Sequence, residues 1–260
     1  EVGGFSFDLA NHKRIYMIET AQKVLAWLRL RASGTAGHGS LIADDNAVTR
    51  LARTVTRIGE HRFPVQLTPS VESFLSAACD AAEIPFDPHD PESALEQLGP
   101  FARMIGATLR HTANPTMLQA GYKNNVIPGE AEAVVDARFL PGLEQDFFEQ
   151  FDALLDEGVT YEAEVQDISL STPFEGELVD KMTAALIAED PDAVPVPYTL
   201  SAGTDAKALS RLDIRCFGFA PLQLPADLDF AALFHGIDER VPVESLEFGV
   251  RVLDRFLRTA

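Results

Sequence analysis

Residues 24–32 read Val-Leu-Ala-Trp-Leu-Arg-Leu-Arg-Ala (VLAWLRLRA), with Leu25, Trp27 and Leu28 set against Arg29 and Arg31. Apolar residues interleaved with charged ones predict a β-strand with one wet face. Just upstream, residues 14–20 (RIYMIET) read as a second strand. Downstream lies the glycine-rich loop Ser33 to Ser40 (SGTAGHGS). Asp44 and Asp45 then stand where a helix cap is expected, before Ala47, Leu51, Val55 and Ile58 at helical spacing. Residues 63–107 are rich in proline and short helical patterns such as Ser70 to Ala82, and read as a helical insertion. A strand pair follows, Thr116 to Tyr122 and Ala131 to Phe139, joined through the turn Ile127-Pro128-Gly129. An amphipathic helix over 143–157 and a strand over 159–166 complete the order strand–helix–(insertion)–strand–strand–helix–strand, which suits a split βαβ arrangement.

Beyond Phe174 the pattern changes. A helix over 176–189, an apolar strand ending near Leu200, a helix from Thr204, an apolar strand over 214–220 and a helix from Val243 predict strands alternating with helices. The organisation is a middle domain inserted into a discontinuous outer one. Its 260 residues suffice for one large or two small domains without a disulfide or metal needed merely to fold. Lys and Arg number 21 against 40 Asp and Glu, and the net charge of −19 repels phosphate backbones and argues against nucleic acid as a partner. No apolar run approaches the roughly 20 residues of a membrane span. Two cysteines, Cys79 and Cys216, suit a reducing compartment, so a cytoplasmic location is expected.

Several residues could carry chemistry. His235 follows an apolar stretch, where a histidine is more often structural, but Asp238 and Glu239 just beyond could take the second N–H of a metal-bound imidazole. His38 sits among Gly37, Gly39 and Ser40; the loop has neither a phosphate-loop ending nor a nucleophile elbow. It is either a tight turn or an imidazole presented to something outside its own domain. Gly203-Thr204-Asp205 opens a helix, as a simple cap or as a carboxylate cradle of free N–H groups. Arg138 either pairs with Asp136 or holds a substrate carboxylate bidentately. Glu1 reads as a chain terminus, although Gly3 and Gly4 allow a tight turn close to a bound ion.

Taken together, GTAGHGS (34–40), NNVIPGEAEAVVDARFLP (124–141), SAGTDA (201–206) and HGIDERVPVE (235–244) resemble the co-catalytic zinc amidohydrolases that include aminoacylase, carboxypeptidase G, succinyl-diaminopimelate desuccinylase and related dipeptidases. The four motifs occur in the family's order, and the resemblance covers the whole chain, least well over 63–107. It implies an α/β fold: a portion of a zinc-exopeptidase-like catalytic domain, a mixed sheet flanked by helices, with an inserted ferredoxin-like βαββαβ lid and dimerisation domain. The lid would span 22–167, and the catalytic domain would comprise residues 1–21 and 168–260. By the same resemblance Glu1 and His235 would be metal ligands, and His38 a lid histidine that reaches the partner subunit's site and stabilises an oxyanion. Asn125 and Arg138 would contact substrate, and Gly203 with Thr204 would form the substrate-carboxylate loop.

The family's first metal ligands, its bridging Asp and its Glu-Glu pair have no counterpart here, so the chain is expected to be the C-terminal portion of such an enzyme and inactive alone. A catalytic zinc takes three protein ligands and a dinuclear site more. The implied reaction is hydrolysis of an amide in a short peptide or N-acyl amino acid with a free carboxylate, by water activated on two zinc ions (cobalt or manganese can share such ligands), in a homodimer joined through the lid. The alternatives are a non-catalytic dimerisation or binding module derived from this family, and an unrelated ligand-binding α/β protein.

Overall fold

The computed structural model describes residues 3–98, 102–234 and 236–260, with backbone only for 102 and 103. The chain forms two compact units. Unit 1 comprises Glu1–Lys23, Gln66–Leu109 and Leu170–Ala260; unit 2 comprises Val24–Val65 and Arg110–Ser169.

Unit 2 is built on β3 (Val24–Ser33), α1 (Ala47–Glu60), β5 (Thr112–Ala120), β7 (Glu130–Phe139), α5 (Glu144–Asp152) and β8 (Val159–Gln166). The four strands pair antiparallel in the order β5-β7-β3-β8, which is the βαββαβ arrangement of a ferredoxin-like sheet. Along β3 the buried residues are Val24, Ala26, Leu28, Leu30 and Ala32. Leu25 and Trp27 stand on the other face with Arg29 and Arg31, which corrects the expected pattern: strict alternation counts from Val24 and puts Trp27 among the charges. There the Trp27 indole N–H donates to Asp136 (3.3 Å), and Arg29 and Arg31 bridge Glu132, Glu162 and Glu164. The inner face closes on α1 and α5 through Phe63, Phe139, Phe147 and Phe151, with Phe139 and Phe147 stacked at 4.7 Å.

The N-cap of α1 is Asn46, whose side chain accepts from the Val48 and Thr49 amides, rather than Asp44 or Asp45. The expected helix over 143–157 stops at Asp152, because 153–156 turn so that the Asp156 amide donates to Thr54 Oγ1 on α1 (3.1 Å). The strand expected over 116–122 runs instead from Thr112 to Ala120; it starts early because residues 112–115 pair with Val135–Arg138, and it includes Pro115, tolerated at a sheet edge that needs no N–H.

Unit 1 is a small mixed sheet. β2 (Arg14–Gln22) pairs antiparallel with β1 (Ser6–Asp8) and β9 (Leu170–Ser171), and parallel with β10 (Ala193–Leu200). β2 is buried on both faces after Arg14, so its first half, Ile15 to Ile18, is apolar on both faces rather than alternating, and Glu19, Thr20 and Gln22 beyond it are buried polar residues. α6 (Glu177–Glu189) packs with α8 (Val243–Thr259) over Tyr16 and Ile18. The helices α2 (Pro69–Ala82), α3 (Pro91–Gln97) and α4 (Ala102–Gly106) make up the expected insertion. They belong to unit 1, not to the middle domain: α2 packs on β10 and β2, Ser70 Oγ lies 3.0 Å from Thr20 Oγ1, and Asn11 donates to Ala81 O. The strand expected over 214–220 reduces to a single bridge between Gly218 and Glu19. β1, Gly218 and β9 divide one edge of β2 between them, leaving room for one residue pair, and the apolar side chains of Phe217 and Phe219 serve the core instead.

Candidate functional site

The glycine-rich loop and the NNVIPG turn form a ribbon at one end of unit 2. β4 (Gly37–His38) pairs antiparallel with β6 (Val126–Ile127), and the ribbon is closed by Gly34 N–H to Gly129 O and Gly39 N–H to Asn125 O, both 2.9 Å. His38 thereby stands opposite Val126, with Asn125 the next residue along the ribbon, and both His38 and Asn125 are exposed. His38 Nδ1 lies 2.8 Å from Ser40 Oγ and accepts from the Ser40 amide at 3.3 Å. A backbone N–H can only donate, so Nδ1 is the acceptor and Nε2 carries the proton of the neutral ring. An exposed cleft of about 580 Å³ lies beside the ribbon, lined by Ala36, Gln119 to Tyr122 and Val126 to Glu132.

Arg138 is elsewhere. It sits near the end of β7 opposite Leu25, eight residues beyond Glu130, roughly 27 Å along the strand from where the ribbon leaves the sheet. Its guanidinium holds Asp136 bidentately at 2.6 and 3.0 Å, which is the charge-pair alternative of the sequence reading.

In unit 1 the Gly203–Thr204 loop follows β10 at the carboxyl ends of the parallel pair. Thr204 is not a free amide donor as expected: its N–H donates to Gln22 Oε1 (3.1 Å), its hydroxyl accepts from Gln22 Nε2 (2.6 Å) and from the Ala206 amide (3.2 Å). The helix after it, α7 (Ala206–Ser210), has only five residues, too short to carry the cradle of N–H groups anticipated for a helix start. Gly203 remains exposed. Beneath the loop lies a polar cluster that sequence reasoning missed. Gln22, fully buried, also donates to Glu19 Oε1 (2.5 Å); Lys207 Nζ donates to Lys23 O and Lys23 Nζ to Ala107 O, each at 2.9 Å. The bonded pairs are up to 184 residues apart in sequence. The signal that could have found them is the run of polar residues Glu19, Thr20, Gln22 and Lys23 after the apolar first half of β2.

Glu1 and His235, the two expected metal ligands, lie outside the described residues. Asp238 accepts from Arg240 (2.6 Å). Gly3 and Gly4 approach β2 closely: both have positive φ, and a Cβ would collide with the Glu19 carboxylate at Gly3 and with Met17 O at Gly4. Among the described residues no three His, Cys, Asp or Glu side chains converge on a metal position, so these residues do not by themselves fit the expected zinc pair.

Residues 20–159 match the family model described as M20 peptidase dimerisation domain, which is more than half of the chain. The chain belongs to the M20 family. Human N-fatty-acyl-amino acid synthase/hydrolase PM20D1 is 25% identical over 281 aligned residues, covering 99% of this chain and 54% of the relative. Human aminoacylase-1 is 23% identical over 98% of this chain and 55% of its own length. This M20 chain thus spans about half the length of these curated relatives. Among solved structures, the M20 metallo-carboxypeptidase Sso-CP2 of Sulfolobus solfataricus superposes with a TM-score of 0.60 at 15% identity, over 97% of this chain and 61% of that one. The di-peptidase Dug1p of Saccharomyces cerevisiae gives 0.60 at 11%, over 97% and 57%. These likenesses establish the fold. No helix among the described residues is long and apolar enough to cross a membrane.

Proposed function

We propose that this M20 chain works in metal-dependent hydrolysis of an amide bond in a short peptide or N-acyl amino acid bearing a free carboxylate, as a homodimer joined through unit 2. Relatives named as an aminoacylase and as a fatty-acyl-amino acid hydrolase support that substrate class. Two zinc ions, or cobalt or manganese in their place, would be held by Glu1, His235 and further donors that this sequence does not supply. The described residues complete no metal site, so the chemistry assigned here is confined to their own contacts. His38, protonated at Nε2, donates a hydrogen bond to the oxyanion that develops on the attacked carbonyl. Asn125 contacts the same end of the substrate. Arg138 and the Gly203–Thr204 loop are each assigned to substrate recognition, with Gly203 exposed toward a carboxylate. A cytoplasmic location goes with two thiols not joined as a disulfide.

The observation that carries the dimeric reading is the separation within unit 2. His38 and Asn125 share one end of the sheet and Arg138 the other, whereas an extended dipeptide is only about 7 Å long. One unit therefore cannot bring both groups to one substrate, and a second copy supplies His38 and Asn125. The β5 edge suits that contact: Met117 and Leu118 are each 64% exposed on it, and residues 116–120 carry no charge. The opposite edge, β8, is guarded by Glu162 and Glu164.

The test extends the chain to the length of its relatives and assays N-acetyl amino acids alongside metal content. The expected result is about two metal ions per chain and turnover that falls about 10²–10³-fold in His38→Ala. Mixing His38→Ala with Arg138→Ala copies should restore activity, because each mixed dimer rebuilds one intact site. Absence of both metal and turnover would leave the non-catalytic dimerisation module; turnover without recovery in the mixed dimers would remove the exchange of His38 between copies.

A further inference from the structure

We propose that Gln22 is a positioning residue that, by holding the Thr204 amide and hydroxyl, presents the neighbouring Gly203 N–H to a substrate carboxylate; this rests on the reading of that loop given above. Both N–H groups and the oxygen of the Gln22 amide are engaged. Its oxygen accepts the Thr204 N–H, one N–H goes to Thr204 Oγ1, and the other goes to Glu19 Oε1. Because the Thr204 amide can only donate, the group facing it must be oxygen, so the orientation of the side-chain amide is fixed by its partners. The N–H it binds belongs to the Gly203–Thr204 peptide itself, so the clamp fixes that peptide plane and leaves Gly203 exposed beside it.

The surroundings hold Gln22 rigid. It is fully buried at the last position of β2, where Leu200 ends β10 beside it. The next residue, Lys23, donates its N–H to Leu200 O and accepts from Lys207 Nζ, so both chain segments are tied on either side of the clamp. The chemistry also explains why an amide stands here. A carboxylate in place of Gln22 would lose both donated bonds and set a second negative charge against Glu19 in a buried site.

The test is an amide NMR titration of the full chain with N-acetyl-L-alanine, with N-acetyl-L-alanine amide as the control lacking a carboxylate. In the unaltered protein the Gly203 amide is expected to respond to the acid and not to the amide. Gln22→Met should weaken the acid about tenfold, with the spectrum of the rest of the chain retained. Thr204→Val should produce the same loss, Thr204→Ser should stay within about twofold, and combining Gln22→Met with Thr204→Val should add little, since the two changes break one clamp. Should Gln22→Met fail to fold, the Thr204 pair carries the test alone. Unweakened binding in Gln22→Met or Thr204→Val, with a normal response in the unaltered protein, would overturn the role of Gln22 and leave the carboxylate loop standing. No response in the unaltered protein would overturn both the loop and the clamp.

Discussion

Unit 2 closes over a stack of phenylalanines, with Phe63, Phe147 and Phe151 within 5.5 Å of their neighbours, whereas unit 1 threads side-chain hydrogen bonds through both ends of its sheet. At the amino ends of β2 and β10, Asp190 accepts from Arg14 (2.8 Å), Tyr16 (2.9 Å) and Gln223 (3.1 Å). At the carboxyl ends, Gln22 clamps Thr204. The difference teaches where adaptability lies. An apolar stack is non-directional and tolerates repacking, while a hydrogen-bonded clamp fixes orientation and leaves buried polar atoms stranded when one member is lost. The unit with the directional contacts is also the one with the proposed carboxylate loop.

Damage to each unit should be felt in a different region of the protein. Phe147→Ala removes a fully buried ring packed on Phe63, Phe139 and Phe151 and should cost about 3–5 kcal/mol, read by denaturant unfolding, with amide-exchange protection lost in unit 2. A loss shared equally by both units would mean that they unfold as one. Asp190→Ala removes the shared acceptor of Tyr16 and Gln223 and one of the two carboxylates of Arg14, whose Nε keeps Asp8 (2.7 Å), and a loss of about 3 kcal/mol with protection falling in unit 1 is expected.

The acid limb sharpens the same point. Burial alone would raise the Asp190 carboxyl, but the bonds from Arg14, Tyr16 and Gln223 outweigh it and hold the group below the usual carboxylate range. The stabilisation is therefore complete above the unfolded value near 4 and is lost as pH falls through the lower folded value. Asp190→Asn should flatten the pH dependence of unfolding below about pH 4; an unchanged acid limb would show that other carboxylates set it. The smallest expected effect is at the α1 cap, where Asn46→Ala should cost about 1 kcal/mol and Asp44→Ala close to nothing. Equal losses from both would return the cap to the expected aspartates.

Most of unit 2 was legible because its signals are local. β3, β7 and β8 follow from alternation within ten residues or fewer, and the helix α1 from its 3.6-residue repeat. The register of β5 was not legible, since Pro115 reads as a strand breaker unless its place at the edge is known. Residues 66–109 follow the same logic: their apolar faces announce helices but not which sheet they cover. His38 and Asn125 were legible as motif residues, and the ribbon that sets His38 opposite Val126, next to Asn125, is what the structure adds. The Gln22–Thr204 clamp joins residues 182 apart and leaves no periodic trace. His111, passed over in the sequence, is a buried core histidine whose Nδ1 accepts the Leu140 amide and whose Nε2 faces Asp146.

The claim on which the shared site depends is that a second copy sits against the uncharged β5 edge. Sedimentation equilibrium of the chain at micromolar concentration tests it directly, with Leu118→Arg alongside. A mass about twice 28.3 kDa for the unaltered chain, falling to 28.3 kDa with Leu118→Arg, is the expected result. A monomer at every concentration would contradict the account, because His38 and Arg138 would then have no way to meet one substrate.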